Sequence, residues 1–239
     1  MEKRKLCSLA FSRLPSRKSK LYKHETSSII SNRKIVSMIP GDLAVAGCFS
    51  FYKNTLIFVD DGFFGLVKKH FQKKNKKIRY LQTFRNVCKK EKLNLKHVFI
   101  YTAPPYQSPK PTRKENFLMS NYQNMTRMLR KKNWITLREG RCQRIINEKG
   151  KHDFRQKGVD ALIIRDLFDI ENKYPKIKKI IMLASDSDFV PVIERMKEKG
   201  FEIILYTYFD RERGSRFSTS NHLLKVASRW EKLKKEDFE

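Results

Sequence analysis

The chain has 239 residues, with 53 Lys and Arg against 25 Asp and Glu and a formal net charge of +28. Its 40% apolar and 12% aromatic content supplies a packed core and excludes global disorder, and the length suits one domain plus a tail. No run approaches the ~18 consecutive apolar residues of a membrane-spanning helix, and Cys7, Cys48, Cys88 and Cys142 stand singly, which argues against a disulfide-stapled domain or a zinc module and for a reducing, cytoplasmic setting.

Residues 1–53 read as a basic, poorly structured arm. Up to Pro40 the acids are Glu2 and Glu25 alone, serines are dense and hydrophobic periodicity is poor. The same composition also fits an organelle transit peptide. A domain is expected over 54–239. Leu56–Val59, His97–Thr102, Ile180–Ala184 and Phe201–Tyr208 are short apolar runs that read as strands buried on both faces. Gly65–Phe71, Tyr80–Lys92, Glu115–Lys131, Val159–Asn172 and Phe189–Lys199 carry apolar residues at three- and four-residue spacing, the helical signature. Gly200 is placed as a helix C-cap. Trp134–Arg138 and Arg141–Asn147 suggest a further strand and a hairpin arm turning over 147–151, and a final helix is predicted over His222–Lys235. Strands alternating with helices predict an α/β fold, an open, mainly parallel sheet flanked by helices.

In a chain so short of acids, the aspartates are informative. Asp60 and Asp61 follow the first apolar run, Asp186 and Asp188 follow the third, and Asp160 opens the helix that feeds it. In parallel sheets the functional crevice lies beyond the carboxyl ends of the strands, so these acids are delivered toward one edge. Each also reads as local structure: Asp186–Asp188 as a helix cap, Asp160 as a partner of the helix dipole, Asp60–Gly62 as a turn. Taken together they repel, by about 4 kcal/mol for two unit charges ~4 Å apart at an effective dielectric near 20. A divalent cation or raised pKa values would relieve that repulsion, and oxygen-only donors suit Mg²⁺ or Mn²⁺. The positive excess, in turn, fits a polyanionic partner, with nucleic acid ahead of a membrane surface because no basic amphipathic helix stands out.

Three blocks then resemble the NYN-domain ribonucleases of the PIN-like superfamily: Ile57–Gly62 (IFVDDG), Lys157–Leu167 (KGVDALIIRDL) and Ala184–Gly200 (ASDSDFVPVIERMKEKG). The resemblance spans roughly Thr55–Leu233 and implies a Rossmann-like sheet, a Mg²⁺ or Mn²⁺ site and hydrolysis of RNA. It maps the metal-binding and catalytic acids onto Asp61, Asp160, Asp186 and Asp188, with Asp166 as a secondary match. Three positions depart from the family pattern: Phe64 where it has Asn, Ser185 where it has Gly, and Ala227–Ser228 where it often has Ala-Asp. The alternative is a catalytically inactive RNA-binding or scaffold relative. Lys68 and Lys69, in the basic run Lys68–Arg79, and Lys157 are candidate RNA contacts, each also readable as a solvated lysine. Tyr106 is a candidate for base stacking or for packing over the sheet edge. No phosphate-binding glycine loop, dinucleotide fingerprint or nucleophilic triad is visible.

Overall fold

The computed structural model describes residues 52–72, 80–147, 150, 152–210, 215 and 217–239. The basic arm expected over 1–53 lies almost wholly outside these residues, as do 73–79 of the basic run and part of the 147–151 turn. Along the described chain the strands are β1 (Asn54–Asp60), β2 (Asn94–Thr102), β3 (Ile135–Glu139), β4 (Arg141–Ile146), β5 (His152–Lys157), β6 (Lys179–Leu183), β7 (Glu202–Thr207) and β8 (Arg229–Lys232). The α-helices are α1 (Asp61–Phe71), α2 (Tyr80–Lys90), α3 (Arg113–Arg130), α4 (Val159–Lys173), α5 (Val190–Glu198) and α6 (Asn221–Val226).

Six strands form one sheet in the order β3-β2-β1-β6-β7-β8, and every pairing in it is parallel. β4 and β5 form a separate antiparallel hairpin. Parallel strands are covered on both faces, so their sequences are apolar without alternation; β1 accordingly buries every residue from Thr55 to Val59. One set of side chains, including Leu56, Phe58, Ile180 and Met182, packs against Val159, Ile163 and Leu167 of α4, Ile193 of α5 and Leu223 of α6. The alternate set, including Ile57, Val59, Ile181 and Leu183, packs against Phe64 of α1, Phe84 of α2 and Leu129 of α3. Burying each such side chain contributes about 1.5–3 kcal/mol.

Local signals set the helix ends. Thr112 and Glu115 exchange side-chain and backbone hydrogen bonds in a full capping box, so α3 begins two residues before the predicted Glu115. Gly200 takes φ +78° directly after α5, as a C-cap glycine should. Gly140, between β3 and the hairpin, is required sterically: a Cβ there would stand 2.6 Å from the Lys157 carbonyl oxygen and 2.8 Å from Val159 Cγ2.

The predicted helix over His222–Lys235 is not formed as one element. α6 stops at Val226, and Ser228 then joins β7: its N–H donates to Ile203 O and its hydroxyl accepts from Ile203 N–H, both at 3.0 Å. The edge of β7 offers unpaired backbone groups that β8 satisfies, and Arg229 pairs with Glu91 and Glu231. A short 3₁₀ turn, Lys235–Phe238, then buries Phe238 against Phe64.

Candidate metal and RNA-cleavage site

The strand order fixes where a site can lie. From β1 the chain steps outward through β2 to β3, then returns to the other side of β1 as β6. β1 and β6 are paired from Thr55–Lys179 to Val59–Leu183, so their connections leave in opposite directions and open a crevice at their carboxyl ends. Asp60 is the last residue of β1, and Asp186 comes three residues after the end of β6. Asp60 shares the parity of Leu56 and Phe58, the residues that face α4. It therefore stands on the side where α4 presents Asp160 in its first turn, and Asp160 in turn feels the charge of Asp186.

A cleft of about 550 Å³ opens there. Asp60, Phe63 and Leu66 line one side, Ser185, Asp186 and Ser187 the floor, and Phe217–Ser220 the other side. Asp60 also caps α1: its Oδ1 accepts from Gly62 N–H at 2.9 Å and Phe63 N–H at 3.4 Å. Asp186 caps a 3₁₀ turn in the same way, its Oδ1 accepting from Asp188 N–H at 3.0 Å. The local-structure reading of these acids is thus fulfilled, but on one oxygen of each. Neither Oδ2 accepts a hydrogen bond among the described residues.

The carboxylates feel one another. Burial pushes Asp60 up to about 6, and the charge of Asp160 adds to the rise while the capping N–H groups oppose it. Asp160 is raised by burial and then by the charges of Asp186 and Asp188. Asp188 is exposed beside this group. Repulsion of this kind is what a bound cation relieves.

Of the four acids named from the sequence, Asp186 lines the cleft, Asp160 lies near enough to feel the charges of Asp186 and Asp188, and Asp61 is not among the cleft's lining residues. Asp61 accepts from the Thr102 hydroxyl at 2.8 Å, its Oδ1 is buried without a hydrogen-bond partner, and burial raises its pKa. Its neighbour Asp60 lines the cleft instead. Asp166, the secondary match, is buried and ties α4 to the sheet, accepting from Tyr101 Oη at 3.1 Å and from Arg138 Nε at 3.0 Å. Phe64 is fully buried against Tyr80, Phe84 and Phe238, and the ring at the cleft is Phe63. Lys68 lies over the Tyr80 ring at 4.6 Å, Lys69 is exposed on α1, and Lys157 is exposed at the root of the hairpin. Phe217–Ser220 was not singled out from the sequence; its run FSTS before α6 is a capping signal, and Ser220 does cap that helix.

The family model of the NYN domain matches residues 71–233. The chain belongs to the NYN family. It therefore carries a domain of a PIN-like nuclease family, on a parallel sheet of the expected class. The span matched by the NYN model contains Asp160, Asp186 and Asp188, whereas β1 and Asp60 precede it. Among solved structures, a protein of unknown function, VPA0982 from Vibrio parahaemolyticus RIMD 2210633, has a similar fold: TM-score 0.50 and 17% identity, over 79% of this chain and 97% of that one. No curated protein matches the chain.

The donors of this NYN domain fit a hard cation in kind. They are carboxylate oxygens with Ser185 and Ser187 hydroxyls nearby, and neighbouring charges add to the burial that raises Asp60 and Asp160. Among the described residues no three His, Cys, Asp or Glu side chains are grouped closely enough to hold a metal ion. A Mg²⁺ ion there would rely on one or two of these carboxylates, with waters and substrate phosphate completing its shell.

Proposed function

We propose that the chain is a Mg²⁺- or Mn²⁺-dependent ribonuclease whose reaction centre is the β1/β6 crevice. The observation that carries this is the cleft at the topological switch point of a parallel sheet, lined by Asp60 and Asp186, with Asp160 near enough to feel the charges of Asp186 and Asp188, in a chain of net charge +28. Asp60, Asp160 and Asp186 are the residues that would hold the cation, with Asp188 beside them. A divalent cation bound there would supply Lewis acidity and charge neutralisation at a phosphodiester. The chain's own part is positioning. The capping bonds on Asp60 and Asp186 Oδ1 fix both carboxylates and leave each Oδ2 for the cleft. The cleft hydroxyls of Ser187 and Ser218 can donate to phosphate oxygens, and Lys157, exposed at the root of the hairpin, can bind the backbone. RNA is the polyanion that the family and the charge together favour.

The test uses the full chain and an end-labelled RNA in parallel incubations with EDTA, Mg²⁺ and Mn²⁺. Cleavage confined to the metal-containing reactions is the expected result. RNA that is bound but left uncut in all three would make the protein a binder built on a nuclease fold.

A further inference from the structure

The hairpin β4–β5 has no role in the sheet, yet its root is held at the crevice. A Cβ placed on Gly62 would lie 3.1 Å from Asp60 Oδ1 and 3.2 Å from Gln156 Oε1, so Gln156 of β5 reaches the first turn of α1 beside the cleft carboxylate. Beyond that root the hairpin is open: every residue of β5 is exposed. A two-stranded ribbon that buries neither face is marginal by itself.

Its register sorts the side chains. Opposed residues of an antiparallel pair share a face, which groups Cys142 with Gln156, Arg144 with Phe154 and Ile146 with His152. On that face Phe154 is 51% exposed and packs its ring 5.2 Å from that of Tyr106, at 37°. The Arg144 guanidinium lies 5.4 Å from the centre of the same Tyr106 ring. The other face carries Arg141 with Lys157 and Gln143 with Arg155. With Arg144 on the first face, Arg141, Arg155 and Lys157 make four cations, against which the described hairpin residues hold one acid, Asp153, whose Oδ1 already accepts from Phe154 N–H at 2.9 Å.

We propose that this hairpin is an arm for unpaired RNA, with Phe154 as the stacking platform for one base and the cations at its root binding the flanking phosphates. The inference rests on the crevice being a nuclease site and names the form of its substrate. The chemistry selects the occupant. Four cations call for an anion, and a half-exposed aromatic ring braced by Tyr106 and Arg144 calls for a flat partner; a single-stranded nucleic acid offers both. In an A-form duplex the base faces are already stacked, leaving edges, 2′-hydroxyls and phosphates, for which Phe154 has no use.

The test measures binding of the full chain, in EDTA so that nothing is cut, to a fluorescein-labelled 12-nucleotide oligouridine and to a blunt RNA duplex. Phe154→Ala is expected to weaken oligouridine binding about tenfold, with the salt slope and duplex affinity unchanged, and Phe154→Trp is expected to bind like the wild type. Arg155→Gln combined with Lys157→Gln should flatten the salt slope by about 0.7 for each phosphate that is no longer neutralised. No binding by the wild type, indifference to Phe154→Ala, equal losses on both RNAs, or Phe154→Trp behaving like Phe154→Ala would each overturn the proposal. Displacement of oligouridine by polyglutamate at equal charge would do so too, in favour of an acidic protein partner. Metal-dependent cleavage by a protein indifferent to Phe154 removes the arm alone. Phe154-dependent binding without cleavage in Mg²⁺ removes the nuclease reading alone.

Discussion

Asp160→Asn and Asp186→Asn are expected to lower RNA cleavage by roughly 100-fold or more, because residues that merely orient a metal ligand are already worth about 10–100-fold. The same variants should fold normally. Asn caps a helix about as well as Asp, so the turn that Asp186 begins survives, and Asp160 sits behind the Gly158 cap without a capping bond of its own to lose. In the absence of metal their melting temperatures should equal or exceed that of the wild type, since either substitution removes a charge from the repulsion that Asp160 feels from Asp186 and Asp188. Saturating metal separates the proteins further. A cation at 100 times its Kd stabilises the wild type by about 2.7 kcal/mol, or roughly 5–10 °C for a domain of this size, and that increment should shrink in both variants. If these aspartates serve only as local structure, the substitutions leave cleavage and the metal-induced shift alike unchanged.

RNA affinity should fall steeply with salt. With ~0.7 in log K per single-strand phosphate neutralised, neutralising about six phosphates predicts a decrease of about 300-fold between 50 and 200 mM monovalent salt. Deleting residues 1–40, which carry ten Lys and Arg against two acids, should reduce both the affinity and the slope while leaving the melting temperature of the domain in place. Filter binding or anisotropy across a salt series reads both quantities. A slope near zero would mean that the positive charge does not serve a polyanion.

The sheet was legible because parallel strands wear their burial openly: Leu56–Val59, Ile180–Ala184 and Phe201–Tyr208 are apolar on both faces. β8 was not, since it is a charged edge strand, Arg229–Lys232, whose neighbours Leu223, Val226, Trp230 and Leu233 fall at helical spacing. Only the open edge of β7 makes it a strand, and that edge is tertiary information. The hairpin was half visible, through its turn and first arm; β5, with no apolar alternation, carries no strand signal of its own.

The site follows the same pattern. The sequence pointed to Asp186 from its place just past an apolar run, and it lines the cleft. Choosing between Asp60 and Asp61 was not possible from the sequence, because a strand buried on both faces gives no parity to read. The register with β6 supplies it. Asp60 continues the set that faces α4, and Asp61, the first residue of α1, turns its carboxylate to Thr102.

The choice between those neighbours tests the crevice most directly. Single-turnover cleavage of one labelled single-stranded RNA, with Mg²⁺ and saturating protein, is compared for the wild type, Asp60→Asn and Asp61→Asn. Asn keeps the α1 cap in the first variant and, through its carbonyl oxygen, the Thr102 hydroxyl bond in the second, so both should fold. The account predicts cleavage by the wild type, a loss of about 100-fold or more in Asp60→Asn, and a rate within a few-fold of wild type in Asp61→Asn. Full activity in Asp60→Asn, or a loss confined to Asp61→Asn, would contradict it.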